Sequence, residues 1–173
     1  MARSAIGVSV TDVDTEAKAP LGHILELPAQ SVGSRAGQGP QKWVYVFNDE
    51  ASTAFAVGDV VIRDPSATTE KMFGAVQAPS STPAPAVSVL GVVQHAIPAG
   101  SYGFVLAKGQ GLFRNGSAGI TADTPLTSGA SAAGGVIDFA GGVEECVIGF
   151  SLEAEASAST TFNGFINCPG SGA

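Results

Sequence analysis

The chain has 173 residues, enough for one domain or one domain with an arm. Its net charge is −7 and its eight basic residues are scattered singly, which argues against a nucleic-acid groove and against docking on an anionic membrane. Charged residues make up only 13% of the chain, against roughly 25% in an ordinary soluble domain. The surface must therefore be Gly, Ser, Thr and Ala or be covered by partners, and partners are the favoured reading.

In chain order, residues 1–20 read as an arm, with a single β-rich domain over 21–173. Ile6, Val8 and Val10 alternate with Gly7, Ser9 and Thr11, the period of two of a short strand. Such a segment either pairs with another chain or forms an edge strand of its own sheet. Residues 21–27 form a strand ended by Pro28, and 29–41 form a loop. Trp43, Tyr45 and Phe47 alternate along the next strand and share one face. A core-facing or subunit-facing aromatic row is favoured over a sugar-stacking platform.

Gly58-Asp59 marks a tight turn that delivers Val60-Val61-Ile62 to the core. The proline-rich stretch 78–86 cannot hold a sheet ladder, since each proline removes a donor, so it reads as an exposed extended loop. Asn115-Gly116 marks a turn, 129–135 a connector, and Ala154–Ser159 a turn in preference to a helix. Short strands at about ten-residue spacing predict an all-β fold, a small barrel or sandwich.

Similar phrases occur twice. One unit runs from Trp43 to about Leu106 and the other from Phe104 to Ile166. Trp43–Phe47 aligns with Phe104–Ala107, Ala56–Val61 with Ile120–Leu126, Val89–Val92 with Val147–Phe150, and Gly103–Val105 with Gly164–Ile166. Two β units sharing a boundary strand predict one body built by internal duplication.

Chemistry is sparse. His23 and His95 have no acid–base partner specified nearby. Lys108–Phe113 lacks the Lys-Ser/Thr ending of a phosphate loop and reads as a Gly-rich bend in a strand. Glu144-Glu145 and Glu153/Glu155 read as a solvated edge. Cys146 and Cys168, with no neighbouring His, make no metal site and are expected to be buried or half-buried free thiols. The sequence thus predicts no enzyme, no cofactor and no metal. No apolar run approaches the ~18 residues of a transmembrane helix, and no signal peptide is expected at Met1–Val10.

Taken in order, Ala56–Val61, Val89–Val93, Tyr102–Val105 with Gly111–Phe113, Ile120–Leu126 and Val147–Ala154 resemble the head-decoration (capsid cement) proteins of tailed bacteriophages. The resemblance covers roughly residues 55–155. Asp123 stands where that family often has Gly, and the 78–86 insertion and the extension past 156 are not typical of it. It implies a β-rich subunit, commonly a homotrimer, synthesised in a host cytoplasm and seated on the capsid exterior, where it clamps major capsid protein subunits together. Ile6, Val8, Val10 and Val13 are then the capsid-contact candidates, Trp43, Tyr45 and Phe47 the interface or core row, and loops 29–41 and 78–86 the outer surface. A carbohydrate- or receptor-binding β-sandwich of a phage tail is the alternative.

Overall fold

A computed structural model describes residues 7–29, 37–66, 73–117, 119–129, 132–141 and 147–169. Among them there is no α-helix, and a short 3-10 turn spans Ala86–Ser88. The strands are β1 (Val13–Asp14), β2 (Ile24–Leu27), β3 (Gln41–Asn48), β4 (Val60–Arg63), β5 (Gly74–Gln77), β6 (Val89–Val93), β7 (Tyr102–Arg114), β8 (Pro125–Ser128), β9 (Val136–Asp138), β10 (Val147–Ser151) and β11 (Thr161–Asn167). Their Val, Ile, Phe and Tyr content suits a pleated, half-buried surface, and most prolines and most positive-φ glycines fall between them. The fold is all-β, as expected.

The strands form one continuous ladder whose pairings return to their start twice. β3 pairs with β5 in parallel; β5–β4, β4–β6, β6–β7 and β7–β3 are antiparallel, completing a ring. The second ring runs β8–β9, β8–β10, β10–β11 and β11–β7, all antiparallel, and is completed by a parallel bridge between Asn115 and Val136. Neither is a clean barrel: the first closes through only two residue pairs, Phe47–Gly74 and Asn48–Ala75, and the second through that single bridge. β7 belongs to both rings.

The duplication is realised residue by residue. Val60–Val92, Val61–Gly91 and Ile62–Val89 in the first ring match Pro125–Phe150, Leu126–Gly149 and Thr127–Val147 in the second, with the same bulge in β6 and β10. Val61–Gln77, Ile62–Val76 and Arg63–Ala75 match Leu126–Asp138, Thr127–Ile137 and Ser128–Val136. Two buried asparagines repeat the same function. Asn48 Nδ2 donates to the Ile97 carbonyl and its Oδ1 accepts from Glu50 N–H. Asn115 Nδ2 donates to the Glu155 carbonyl and its Oδ1 accepts from Ser117 N–H. The turns before β4 and β8 each place a residue at positive φ, Gly58 at 87° and Asp123 at 58°. An aspartate is one of the few side chains that tolerates this conformation.

The boundary strand is shared as the sequence predicted, but the end strands align differently. Phe47 and Asn48 correspond to Arg114 and Asn115, not to the stretch Phe104–Ala107. At the far end, Leu106 corresponds to Phe165, because Val92–Leu106 and Phe150–Phe165 are matching pairs.

Two cores result. Val44, Val46, Phe55, Val61, Ala75, Leu90, Val93, Ile97, Val105 and Ala107 fill the first ring. The second cluster joins the interior of the second ring (Phe113, Ile120, Leu126, Ile148, Phe162, Ile166) to outward residues of the first (Trp43, Val60, Val92, Leu106). Each such fully buried side chain contributes about 1.5–3 kcal/mol. The rings are therefore fused through a strand and through a core.

Candidate functional site

The described part of the expected arm, residues 7–20, lies against the body. β1 pairs with β7 through Val13–Gly103 and Asp14–Tyr102. The pairing falls on Val13–Asp14, past the alternating stretch 6–11 read as a strand, of which Val10 and Thr11 form a turn. Val8 and Ser9 are buried, Val10 is half-buried, and only Val13 of the described contact candidates is exposed. Ile6 lies outside the described residues. Lys18 N–H donates to the Tyr45 hydroxyl at 3.2 Å, and Gly22 and His23 exchange backbone bonds with Tyr45.

Trp43 and Tyr45 are buried and Phe47 is half-buried against the Tyr102 ring, 4.8 Å between centroids. Burial raises the Tyr45 hydroxyl above its ordinary pKa. With Trp43 and Tyr45 closed off, a sugar-stacking platform on this row has no open face. In the second ring Leu112 occupies the place of Tyr45. Its N–H and C=O are bonded by the Gln94 side-chain amide at 2.8 and 2.9 Å, which substitutes for a neighbouring strand.

The loop expected to be exposed over 78–86 is exposed at 79–83 but pinned at both ends. Ala78, Ala84 and Ala86 are buried, and Ala84 N–H donates to Ser128 Oγ at 2.9 Å. Of the loop 29–41, residues 30–36 lie outside the described residues.

The polar centre of the molecule is a clasp that the sequence reading missed. Asp59 is fully buried; its Oδ2 accepts from Ala56 N–H at 2.9 Å and from Gln77 Nε2 at 2.7 Å, and its Oδ1 lies 2.7 Å from Arg114 Nη2. Arg114 also donates to the Ala133 carbonyl, and Val60 N–H donates to Gly134 O. Asp59 follows the turn of the first ring, while Ala133 and Gly134 precede β9 of the second. Burial raises the Asp59 carboxyl despite Arg114. A lone Arg at the end of an apolar strand was the one available signal. The clasp is structural chemistry, since its groups are occupied by one another.

His23 and His95 lie apart from any such network. Both ring nitrogens of the half-buried His95 lack a hydrogen-bond partner, and burial lowers its pKa, with Asp12 opposing. Burial pushes the Cys168 thiol up to about 12, which leaves it unreactive at neutral pH. Cys146 and Glu144-Glu145 lie outside the described residues. Glu153 Oε1 accepts from Asn163 N–H at 2.6 Å and Glu155 Oε1 from Ser157 N–H at 2.7 Å, so both acids tie down local turns. Among the described residues no three His, Cys, Asp or Glu side chains converge as a metal site would require.

What remains is surface. Matching ranks cross the two rings: Trp43, Leu106, Val92 and Val60 in the first, and Gln110, Phe165, Phe150 and Pro125 in the second. The first rank is sealed inside the shared core. In the second, Phe150 is 41% exposed and stacks on half-buried Phe165 at 5.4 Å, beside exposed Pro125 and Leu152.

No protein-family description matches the chain, and no curated protein does. Among solved structures it is similar to the N-terminal base of the head fibre gp8.5 of bacteriophage phi29, with a TM-score of 0.49 and 12% identity over 72% of this chain and 92% of that one. Similarity of this degree does not identify the chain.

Proposed function

We propose that this protein is a non-enzymatic structural subunit that decorates the exterior of a phage head and bridges major capsid protein subunits. The reading rests on the ordered series of phrases that resembles head-decoration proteins. Those phrases fall on the turn into β4, on β6, β7, the turn into β8 and β10, which are the repeated skeleton of both rings. The polar-uncharged surface supports it too: with 13% charged residues, contact with a shell would be close and sparingly electrostatic. Many equivalent copies on a lattice multiply weak single contacts through avidity.

The test is co-sedimentation with undecorated phage heads. Saturation at a fixed number of copies per shell is the expected result, and failure to bind any shell offered would overturn the reading. Deleting the arm would not test anchoring cleanly, because Val8 and Ser9 are buried within the subunit. Val13→Asp changes an exposed side chain on β1 instead. It should weaken shell binding while leaving the far-ultraviolet circular dichroism unchanged.

A further inference from the structure

We infer that the groove bordered by β2, β3, β7 and β11 is a binding site for an acidic saccharide, a pyranose ring that carries a carboxylate. The groove holds about 640 Å³, within the roughly 300–1,000 Å³ range of small-ligand sites. Glu26, Lys42 and Lys108 line it, and Phe165 forms one wall. None of these groups takes part in the clasp around Asp59.

The cationic pair is positioned by the backbone. Trp43 lies opposite Leu106, so an unbroken register would set Lys42 opposite the buried Ala107. A bulge makes Ala107 an extra residue and brings Lys108 opposite Lys42 instead. Close packing holds β7 there: Gly109 sits at φ 126°, and a Cβ on it would lie 2.9 Å from Gln41 Cγ and 3.0 Å from the Pro40 carbonyl oxygen. Two ammonium groups at directly opposed positions repel each other and disfavour the sheet. Among the described residues neither lysine forms an ion pair. Glu26, the cross-strand neighbour of Lys42, sets one carboxylate against two cations, and it is the one acid among the described lining residues. The groove is therefore locally positive on a chain of net charge −7, because exposed charges farther than ~8 Å away are largely screened at physiological salt.

A carboxylate set between the two ammonium groups relieves their repulsion, and the rest of the lining says what that carboxylate is attached to. The Phe165 ring, half-buried and stacked on Phe150, offers an apolar wall to the C–H face of a sugar ring. Ionised Glu26 only accepts hydrogen bonds, which suits hydroxyl donors and opposes a second anionic group. An acidic peptide fits less well. The floor strands β3 and β7 are paired on both sides here, Lys42 with Glu26 and Lys108, and Lys108 with Lys42 and Asn167. They leave no open backbone edge to which a peptide could add a strand. The Gln41 amide is also taken up, bonding the Gln110 carbonyl at 3.1 Å and Trp43 Nε1 at 3.3 Å. A saccharide brings its own hydroxyls and needs no such edge. Pro28 and Pro40 stiffen the rim, as a preformed site requires.

Isothermal titration calorimetry of the full chain against galacturonate, glucuronate and sialate oligosaccharides tests the site without shells, so its result is separate from that of the decoration reading. At least one should bind, with affinity falling as salt rises, and neutral galactose oligomers of equal length should bind at least about tenfold more weakly. Lys108→Gln, at an exposed position, should keep the circular dichroism of the parent and weaken binding about tenfold, or about 1.4 kcal/mol. Phe165→Leu keeps an apolar side chain without the ring and should weaken binding in the same direction. Glu26→Ala decides between a saccharide and a bare anion. Loss of the hydroxyl acceptor should weaken saccharide binding, whereas a bare-anion site would bind more tightly once the negative charge is gone. The inference is overturned if none of the acidic oligosaccharides binds, if Lys108→Gln binds them as the parent does, or if Glu26→Ala binds them more tightly. Tetraglutamate bound as tightly as the best saccharide would assign the groove to an acidic peptide and overturn it equally.

Discussion

His95 shows what burial does to a side chain that finds no hydrogen-bond partner. Its imidazole is half-buried next to the close approach at Gly103, its nitrogens are unpartnered, and burial lowers its pKa below the ordinary 6.5. Asp12 is the acid that partly restores it. The sign follows from linkage. Below about 6.5 the unfolded chain takes up a proton that the folded chain resists, so the unfolded state binds more protons and stability falls as pH falls. The parent should therefore lose more stability between pH 7.5 and the low fives than His95→Leu does, measured as urea midpoints at each pH. A parent and variant with parallel profiles would mean that His95 is solvated. The sequence specifies no acid–base partner near this histidine, and that its half-buried nitrogens find none depends on β6 and β7 meeting, which no local pattern encodes.

At the level of elements, the duplication was legible wherever glycine and the turns carried it and illegible where only apolar alternation did. Val89–Val92 and Val147–Phe150 align as the sequence predicted because Gly91 and Gly149 are fixed by contact. A Cβ at Gly91 would lie 2.8 Å from the Leu106 carbonyl oxygen, and one at Gly149 would lie 2.2 Å from that of Phe165. These two carbonyl oxygens are backbone and cannot swing aside as a side-chain end can, and at Gly91 the Val105 Cγ2 lies equally close at 2.8 Å. Alternating strands have no such marker: slipping one by an even number of residues preserves every inward side chain. Alternation alone therefore sets Trp43–Phe47 against Phe104–Ala107, whereas the feature that fixes the register is the Asn48–Asn115 pair and its carbonyl bonds. Gly149→Ala should therefore cost about 1–3 kcal/mol by forcing β10 and β11 apart, and Gly91→Ala should cost less. Urea denaturation of the two variants ranks them, and a neutral Gly149→Ala would show that β10 and β11 separate without penalty.

The exposed rank and the clasp were not legible in the sequence for a related reason: both are relations between the rings. Phe150 and Phe165 read as ordinary strand residues, and only the matched register reveals that their counterparts are sealed. Asp59 and Arg114 are distant in sequence and meet because β7 continues from one ring into the next.

At the scale of the whole molecule, that continuity dictates how the protein unfolds. The first ring cannot open while the second persists, because Tyr102–Lys108 closes one and Lys108–Arg114 closes the other along a single strand. Nor can the second be lost alone, since Trp43, Val60, Val92 and Leu106 would then face water. Two rings joined by a linker would give two transitions; these should give one. Trp43 is the only tryptophan and sits in the joint core, so its fluorescence reports on the seam while far-ultraviolet circular dichroism reports on all strands. The two unfolding curves in urea should superimpose. Asp59→Ala removes the buried partner of Arg114 and should cost about 3 kcal/mol. The shift should be the same by both probes, because the seam is held by the shared strand and core as well as by the clasp. If Asp59→Ala instead splits the curves, with fluorescence changing first, the ion pair alone joins the rings and the fused-core account fails.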